Sequence, residues 1–298
     1  MPAPDTIRFL QLDVFTDRPG GGNPLGVVIG SRGFDADDMQ RFATWTNLVE
    51  TTFLLPASDP GADYRLRIFT PTREIPFAGH PTVGSALAAL NTGFAAAKPI
   101  LVQQCGAGLL PIRVEGAQDD RLLYVQAPPA KVLREGLDAD PQLRAILGPI
   151  ELGQLPPAFV EGGRCWWVAE FAHEADVRGW HPGHAAIQAL ALASNSLGLC
   201  VFARCDQRDY DVVVRAFPAG VGIVEDPASG AANGLIAAYI AAREPHGELA
   251  RGYRVSQGRE IGKDARLLIR IEDGGAVWVG GRSHVVVDGQ LRWPRGAG

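Results

Sequence analysis

The sequence has few cysteines, and its C-terminal half has no long apolar run. Cys105, Cys165, Cys200 and Cys205 form neither a Cys-x-x-Cys pair nor a zinc-type spacing, which indicates reduced thiols rather than metal ligands. The apolar stretch at residues 235–242 is far shorter than the roughly 20 residues that span a bilayer. We therefore expect no metal site and no membrane-spanning helix.

An excess of positive charge is also missing. Lys and Arg total 28 against 33 Asp and Glu, a formal net charge of -5, so no broad basic surface is expected for nucleic acid or anionic lipid. Residues 1–13 show no basic segment, apolar core or cleavage site of a secretory signal. These absences predict a cytoplasmic protein that binds neither nucleic acid nor membrane.

Common cofactor and nucleophile motifs are absent or incomplete. The segment Gly20-Gly21-Gly22-Asn23-Pro24 resembles a dinucleotide-binding loop only loosely, because Pro24 would interrupt the helix that must follow. The chain has no Gly-x-x-x-x-Gly-Lys-Ser/Thr phosphate loop and no Gly-x-Ser-x-Gly elbow. We therefore expect no nucleotide cofactor and no serine-hydrolase chemistry.

What is present is the composition of a globular protein with many turns. The chain has 298 residues, of which 46% are hydrophobic and 20% charged, with 36 glycines and 22 prolines. At ~150 residues per domain, this length predicts two domains. Among the expected elements are a polar helix at 137–147 and two helices of small apolar residues at 81–90 and 227–242, each opened by proline. Helices that are apolar all round are normally buried.

The two halves of the chain repeat each other weakly. Arg67-Ile68-Phe69 is matched by Arg215-Ala216-Phe217, and His80-Pro81 by Asp226-Pro227, roughly half the chain later. Such a period argues for a duplicated domain rather than a solenoid. We predict domains at residues 1–128 and 129–298, with return of the last strand to the N-terminal domain as an alternative.

The predicted helix starts are the candidate ligand site. Unpaired N–H groups and the helix dipole at a helix start favour a small anion such as a carboxylate. His80 and Asp226 lie at these starts, and each alone is also typical of a simple helix cap. Glu50 begins the apolar stretch Glu-Thr-Thr-Phe-Leu-Leu, which indicates either a solvent-facing carboxylate or a tuned acid/base.

Four ordered blocks resemble the PhzF-like family of phenazine biosynthesis isomerases. They are Leu12-Asp13-Val14-Phe15-Thr16 with Gly22-Asn23-Pro24, Asn47-Leu48-Val49-Glu50-Thr51-Thr52-Phe53, Arg67-Ile68-Phe69-Thr70-Pro71 with Glu74-Ile75-Pro76-Phe77-Ala78-Gly79-His80-Pro81, and Glu225-Asp226-Pro227-Ala228-Ser229-Gly230. The resemblance implies a diaminopimelate epimerase-like α/β (α+β) fold. In it, two pseudo-symmetric domains each form a mostly antiparallel sheet curled around a central helix. It also implies a cofactor-free homodimer with its active site between the domains.

The resemblance also implies roles for individual residues. Glu50 corresponds to the acid/base that takes a proton from ring carbon and returns it elsewhere, and such a base must be dry, oriented and raised in pKa. His80 and Asp226 correspond to residues that hold polar groups of the substrate and assist proton transfer. The implied substrate-binding residues are Gly79, Ser229, Gly230 and Ala231.

Two departures from related patterns bear on the substrate. Racemases of this fold use two cysteines, one at each helix start, whereas the corresponding positions here are Ala78 and Asp226. Ala231 stands where the family often has a hydroxyl, which bears on recognition of the phenazine precursor. The leading hypothesis is a cofactor-independent proton shift on a small amino- or hydroxy-carboxylic acid resembling trans-2,3-dihydro-3-hydroxyanthranilate. The alternatives are a two-base epimerase without cysteines and a ligand-binding or regulatory protein with little catalysis.

Overall fold

A computed structural model describes residues 7–31, 33–117, 120–207 and 209–293. Contacts within it group the described residues up to Gln126, together with those from Gly280 onward, into one unit, and residues 127–279 into a second. We call these the N-terminal unit and the C-terminal unit. The boundary between Val279 and Gly280 falls within the second-last strand of the chain, Val277–Gly281. This strand therefore begins in the C-terminal unit and ends in the N-terminal unit.

The N-terminal unit is a mixed sheet with two helices. Its strands are β1 (Ile7–Val14), β2 (Asn23–Ile29), β3 (Glu50–Leu55), β4 (Tyr64–Phe69), β5 (Glu74–Ile75), β6 (Ile100–Cys105), β7 (Gly108–Glu115), β8 (Leu122–Gln126) and β17 (Ser283–Leu291). The helices are α1 (Ala36–Thr46) and α2 (Gly79–Asn91). The paired strands run β17-β1-β2-β3-β4-β6-β7-β8, with β2–β3 and β4–β6 parallel and the other pairs antiparallel.

The C-terminal unit contains the remaining described elements. Its strands are β9 (Lys131–Glu135), β10 (Ala158–Gly162), β11 (Arg164–Glu170), β12 (Leu199–Arg204), β13 (Val212–Phe217), β14 (Gly252–Gln257), β15 (Ala265–Ile271) and most of β16 (Val277–Gly281). Its helices are α3 (Pro141–Leu147), α4 (Glu174–Gly179), α5 (His184–Ala193) and α6 (Gly230–Arg243). Strands β9 to β15 pair in chain order, with β11–β12 and β13–β14 parallel and the others antiparallel.

The same pairing pattern occurs in both units. The run β1-β2-β3-β4-β6-β7 alternates antiparallel and parallel pairs in the same order as β10-β11-β12-β13-β14-β15. In each unit, the two strands of either parallel pair are connected through at least one helix, because parallel strands require a crossover connection. The predicted fold class, with two pseudo-symmetric and mostly antiparallel sheets, is therefore confirmed.

One helix in each unit is buried within its sheet. Eleven of the thirteen residues of α2 and eight of the fourteen in α6 are buried, and α2 contacts β1, β2, β3, β4, β8 and β17. Small residues allow this close approach: a Cβ at Gly84 would meet the Leu25 and Val14 side chains at 2.5 and 2.7 Å. The prediction of two buried small-residue helices is confirmed.

Helix boundaries differ from the predictions at three places. The predicted helix at 81–90 begins two residues earlier, at Gly79. The predicted helix at 227–242 begins at Gly230 instead, because the Ser229 hydroxyl caps it by accepting the Ala232 N–H at 3.3 Å. The polar helix expected at 137–147 is divided, since the carboxylate of Asp140 caps a new helix that starts at Pro141.

In the described ranges, no helix is both long and apolar enough to cross a bilayer. Across the same residues, no group of three or more His, Cys, Asp or Glu side chains is arranged to hold a metal ion.

Candidate functional site

Glu50 is the first residue of β3, and its side chain is turned toward the interior of the N-terminal unit. It lies opposite Leu25 of the parallel strand β2, and only 12% of its side chain is exposed. Because side chains alternate along a strand, Glu50 shares a face with Thr52, whose hydroxyl contacts Ser85 on α2. Glu50 is thus mostly buried, and the solvent-facing alternative is wrong.

His80 lies in the first turn of α2 and faces Glu50. The residue is 6% exposed, and its Nε2 atom is 3.3 Å from Oε2 of Glu50. Burial lowers the pKa of His80 to about 3, although a hydrogen bond with the Pro24 backbone opposes this effect. The contact is therefore not an ion pair between imidazolium and carboxylate at neutral pH.

The Pro24 backbone determines which nitrogen of His80 carries the proton. Proline has no N–H, so the group that bonds His80 is the Pro24 carbonyl and the imidazole is the donor. Since Nε2 faces Glu50, we assign the donor to Nδ1, which leaves a lone pair on Nε2 in the neutral ring. A lone pair directed at a carboxylate is repulsive, whereas a protonated Glu50 can donate to it. Nε2 of His80 is therefore placed to accept a hydrogen bond from Glu50 whenever that carboxyl carries a proton.

A tightly constrained turn places Pro24. Phe15, directly after β1, is buried and adopts φ +62°, a conformation that is strained for a bulky residue. A Cβ at Gly22 would lie 2.4 Å from the Val14 carbonyl oxygen, so only glycine fits there. The Gly20 N–H donates to the buried Asp13 carboxylate, and Asp13 lies directly opposite Pro24 in the β1–β2 pair. The Gly22-Asn23-Pro24 motif thus carries the His80 contact that sequence reasoning missed.

The low pKa of His80 predicts a pH-dependent stability. His80 titrates near 6.5 in the unfolded chain and near 3 in the folded one, so between these values the unfolded state binds more protons. Its contribution to stability is complete above pH 6.5 and is lost as the pH falls toward 3, by about 1.4 kcal/mol per pH unit. Urea unfolding from pH 4 to 6 should show this slope, and His80→Gln should remove it.

The exposed His173 provides the control for this titration. Its side chain is 64% exposed, so His173→Gln should leave the slope of unfolding free energy against pH unchanged. An equal slope in wild type and His80→Gln would show that His80 is not held neutral by burial.

Asp226 of the C-terminal unit lies before α6, not within it. Its Oδ1 accepts the Ala228 N–H at 3.0 Å and its own N–H donates to the Ala216 carbonyl at 2.9 Å. The first contact is an Asx turn, in which the side chain replaces a backbone acceptor. The prediction that Asp226 directly precedes and opens the helix is therefore wrong, because the helix is capped by Ser229, three residues later.

Gln257 at the end of β14 fixes the segment around Asp226. Its Nε2 donates to the Asp226 carbonyl at 2.8 Å, and its Oε1 accepts the Ser229 N–H at 3.2 Å and Asn233 Nδ2 at 2.9 Å. Gln257 and Asn233 are fully buried, so these bonds are protected from water. Gly258, at φ +87°, leaves room for the Pro227 carbonyl, which a Cβ would meet at 2.6 Å.

The predicted substrate-binding residues fall into two groups. Gly79 begins α2 beside His80, and Ser229, Gly230 and Ala231 form the start of α6. Ser229 is 4% exposed, with its hydroxyl occupied as the cap, whereas Ala231 is exposed.

The helix starts also correct the sequence repeat. Counted from each cap, Ala78 corresponds to Ser229 and His80 to Ala231. The match of His80 with Asp226 is thus not an equivalence of position in the helix. The dipeptides His80-Pro81 and Asp226-Pro227 align in sequence, but α2 begins before the first of them and α6 begins after the second.

Comparison with known proteins places the chain among similar sequences and structures. The profile of a family described as phenazine biosynthesis-like protein matches residues 12–289. The chain is 31% identical over 295 residues to the trans-2,3-dihydro-3-hydroxyanthranilate isomerase of Pseudomonas aeruginosa, covering 95% of this chain and 98% of that protein. It is 30% identical over 291 residues to antisense-enhancing sequence 1 of Schizosaccharomyces pombe, covering 95% and 97%.

A solved structure shares the fold over nearly the whole chain. A phenazine biosynthesis protein of the PhzF family from Bacillus anthracis superposes with a TM-score of 0.80 at 23% identity, covering 97% of this chain and 100% of that one. At this identity the likeness concerns the fold.

Proposed function

Because the chain belongs to the phenazine biosynthesis-like family and is an isomerase, we propose that it moves a proton within a small amino- or hydroxy-carboxylic acid. The proposed substrate resembles trans-2,3-dihydro-3-hydroxyanthranilate, and Glu50 is the acid/base, acting without a cofactor. The observation that carries this proposal is the buried pair of Glu50 and neutral His80, with 3.3 Å between Oε2 and Nε2. A homodimer in the cytoplasm is part of the same proposal.

The state of His80 determines the basicity of Glu50. An imidazolium would stabilise the carboxylate and weaken it as a base, whereas a neutral ring with its lone pair toward Glu50 favours proton uptake by the carboxylate. A C–H proton is weakly acidic, so its removal requires such a base, held dry and oriented. The proton taken by Glu50 can then be held against Nε2 and returned to another carbon.

The C-terminal unit supplies the other proposed binding groups. The Asp226 carboxyl accepts a main-chain N–H, and a carboxylate suits an ammonium or hydroxyl group of a substrate. Ser229 and Gly230 keep their proposed role in substrate binding. Ala231 presents no hydroxyl, so we expect affinity for the phenazine precursor to depend on main-chain donors at this position.

Hydrogen exchange in deuterated water tests the proposal. The protein is incubated with trans-2,3-dihydro-3-hydroxyanthranilate, and in parallel with a panel of small amino and hydroxy acids, and the products are read by NMR. We expect deuterium at carbon in at least one isomerised product. Loss of optical rotation without a change of connectivity would indicate the two-base epimerase instead. Binding of a compound without incorporation of carbon-bound deuterium would indicate a ligand-binding or regulatory protein.

A further inference from the structure

A second polar contact joins the strand of Glu50 to the helix of His80. Thr52 on β3 and Ser85 on α2 have their hydroxyl oxygens 2.9 Å apart, and both residues are completely buried. Thr52 also donates to the Gly26 carbonyl at 3.2 Å. Because that bond uses the single proton of Thr52, Ser85 must be the donor in the contact between the hydroxyls.

The two contacts have matching spacing. Thr52 is two residues after Glu50, about 7 Å along a strand, and Ser85 is five residues after His80, about 7.5 Å along a helix. Five residues also turn a helix by about 140°, so His80 and Ser85 project in different directions from α2. Glu50–His80 and Thr52–Ser85 are thus two separate contacts between β3 and α2, which we call the first and the second rung. A slide of the helix that broke one rung would also move the other.

Burial makes the second rung costly to break. Leaving a buried hydroxyl without a hydrogen-bond partner costs about 1–3 kcal/mol of folding free energy, so the Thr52–Ser85 bond resists sliding of α2 along β3. A separate bond from Gln103 to Thr82 at 3.1 Å, with Tyr64 donating to Gln103 at 3.2 Å, ties α2 to β6 and β4 and should keep variants of the rung folded.

We propose that Thr52 and Ser85 are positioning residues that set the distance between Glu50 and His80. The inference rests on the proposed function for its effect on catalysis, but not for its effect on the pair itself. Without the rung, α2 can shift along β3, and the contact between Oε2 and Nε2 lengthens. Proton transfer depends steeply on such placement, so turnover falls while substrate affinity is retained.

Thr52→Val and Ser85→Ala test the rung, with Thr51→Val as the matched control. Thr51 directly precedes Thr52 on β3 and is equally buried. Its hydroxyl also lies 2.9 Å from a partner, the hydroxyl of Thr46. Its side chain, however, points to the opposite face of the strand. Thr52→Ser keeps the hydroxyl and serves as the conservative rescue. Each protein is labelled with ¹⁵N-histidine, and His80 is assigned from the signal missing in His80→Gln.

The first readout needs no substrate. We expect the His80 Nε2 signal to shift in Thr52→Val and Ser85→Ala, and to match wild type in Thr51→Val and Thr52→Ser. The second readout is kinetics on the substrate found by deuterium exchange, where kcat should fall about 10-fold or more with KM within about 2-fold. A His80 signal unmoved in both rung variants would overturn the positioning role. A shifted signal with unchanged kcat would support that role and overturn the proposed function of Glu50.

Discussion

Glu50→Gln is expected to abolish most turnover while leaving the protein folded. A glutamine amide can neither take nor return a proton, and a positioned acid/base contributes about 10²–10⁴ in rate. We therefore expect kcat and carbon-bound deuterium incorporation to fall by about 10³, with a small change in KM. The fold should survive, because the amide NH₂ of glutamine can donate to the Nε2 lone pair of His80.

Glu74→Gln controls for loss of a carboxylate in the same unit. Glu74 bonds Arg67 at the surface, with 43% of its side chain exposed, so its replacement should leave turnover unchanged. Measurement of initial rates and of exchange in deuterated water for both variants separates the two effects. Retention of full deuterium incorporation by Glu50→Gln would assign the proton transfer to another group.

The motif around Glu50 and His80 predicts their roles but not their protonation. Glu50, Gly79 and His80 stand in recognisable blocks, and the structure brings Glu50 and His80 together. Burial keeps the imidazole neutral, and the position of its proton depends on Pro24, which is far away in the sequence and acts through a main-chain carbonyl. A main-chain contact of this kind leaves no residue type to recognise, apart from the glycine and proline that bend the chain there.

The start of the second buried helix was wrongly predicted because two local signals compete. Proline at residue 227 is typical of a first helical turn, whereas Ser229 is a strong cap and Asp226 forms its own turn with Ala228. Gln257, a distant residue in the sequence, stabilises the second arrangement. Tertiary contacts therefore decide between two locally acceptable starts.

Local apolar patterns mark some strands clearly and others hardly at all. β3, β4 and β15 have strong apolar patterns with buried residues along each strand. β9 is mostly exposed, with the sequence Lys-Val-Leu-Arg-Glu, and β5 has only two residues. Such strands depend on pairing with a neighbour, β10 for β9 and β4 for β5, which a local pattern does not report.

Arg67 and Arg215, which match each other in the sequence repeat, each form an ion pair with a glutamate. The two glutamates were not matched in that repeat. Arg67 at β4 forms a two-bond contact with Glu74 at 2.8 and 2.7 Å, and Arg215 at β13 forms one with Glu225 at 2.9 and 2.9 Å. Both glutamates lie in the connection to the buried helix of their unit. Each unit thus has an ion pair that holds this connection to its sheet, with different spacing in the two units.

Burial makes these two ion pairs unequal in energy. Arg215 and Glu225 have side chains only 7% and 4% exposed, against 18% and 43% for Arg67 and Glu74. Removing one partner of a buried ion pair costs about 3–5 kcal/mol of stability, because the other charge is left unpaired in the protein interior, which solvates charge poorly. We therefore expect Arg215→Met to lower the free energy of unfolding by this amount, and Arg67→Met to lower it by less than about 1 kcal/mol, as measured by urea unfolding.

A double variant separates the stranded charge from the other bonds of Arg215. Arg215→Met with Glu225→Leu removes both charges, so stability should recover relative to Arg215→Met alone. Recovery should be incomplete, because Nη1 of Arg215 also donates to the Val177 and Trp180 carbonyls at 3.1 and 2.5 Å, and these would lose their donor. Equal losses for Arg215→Met and Arg67→Met would contradict the dependence on burial. A double variant no more stable than Arg215→Met would assign the loss to the two carbonyls rather than to Glu225.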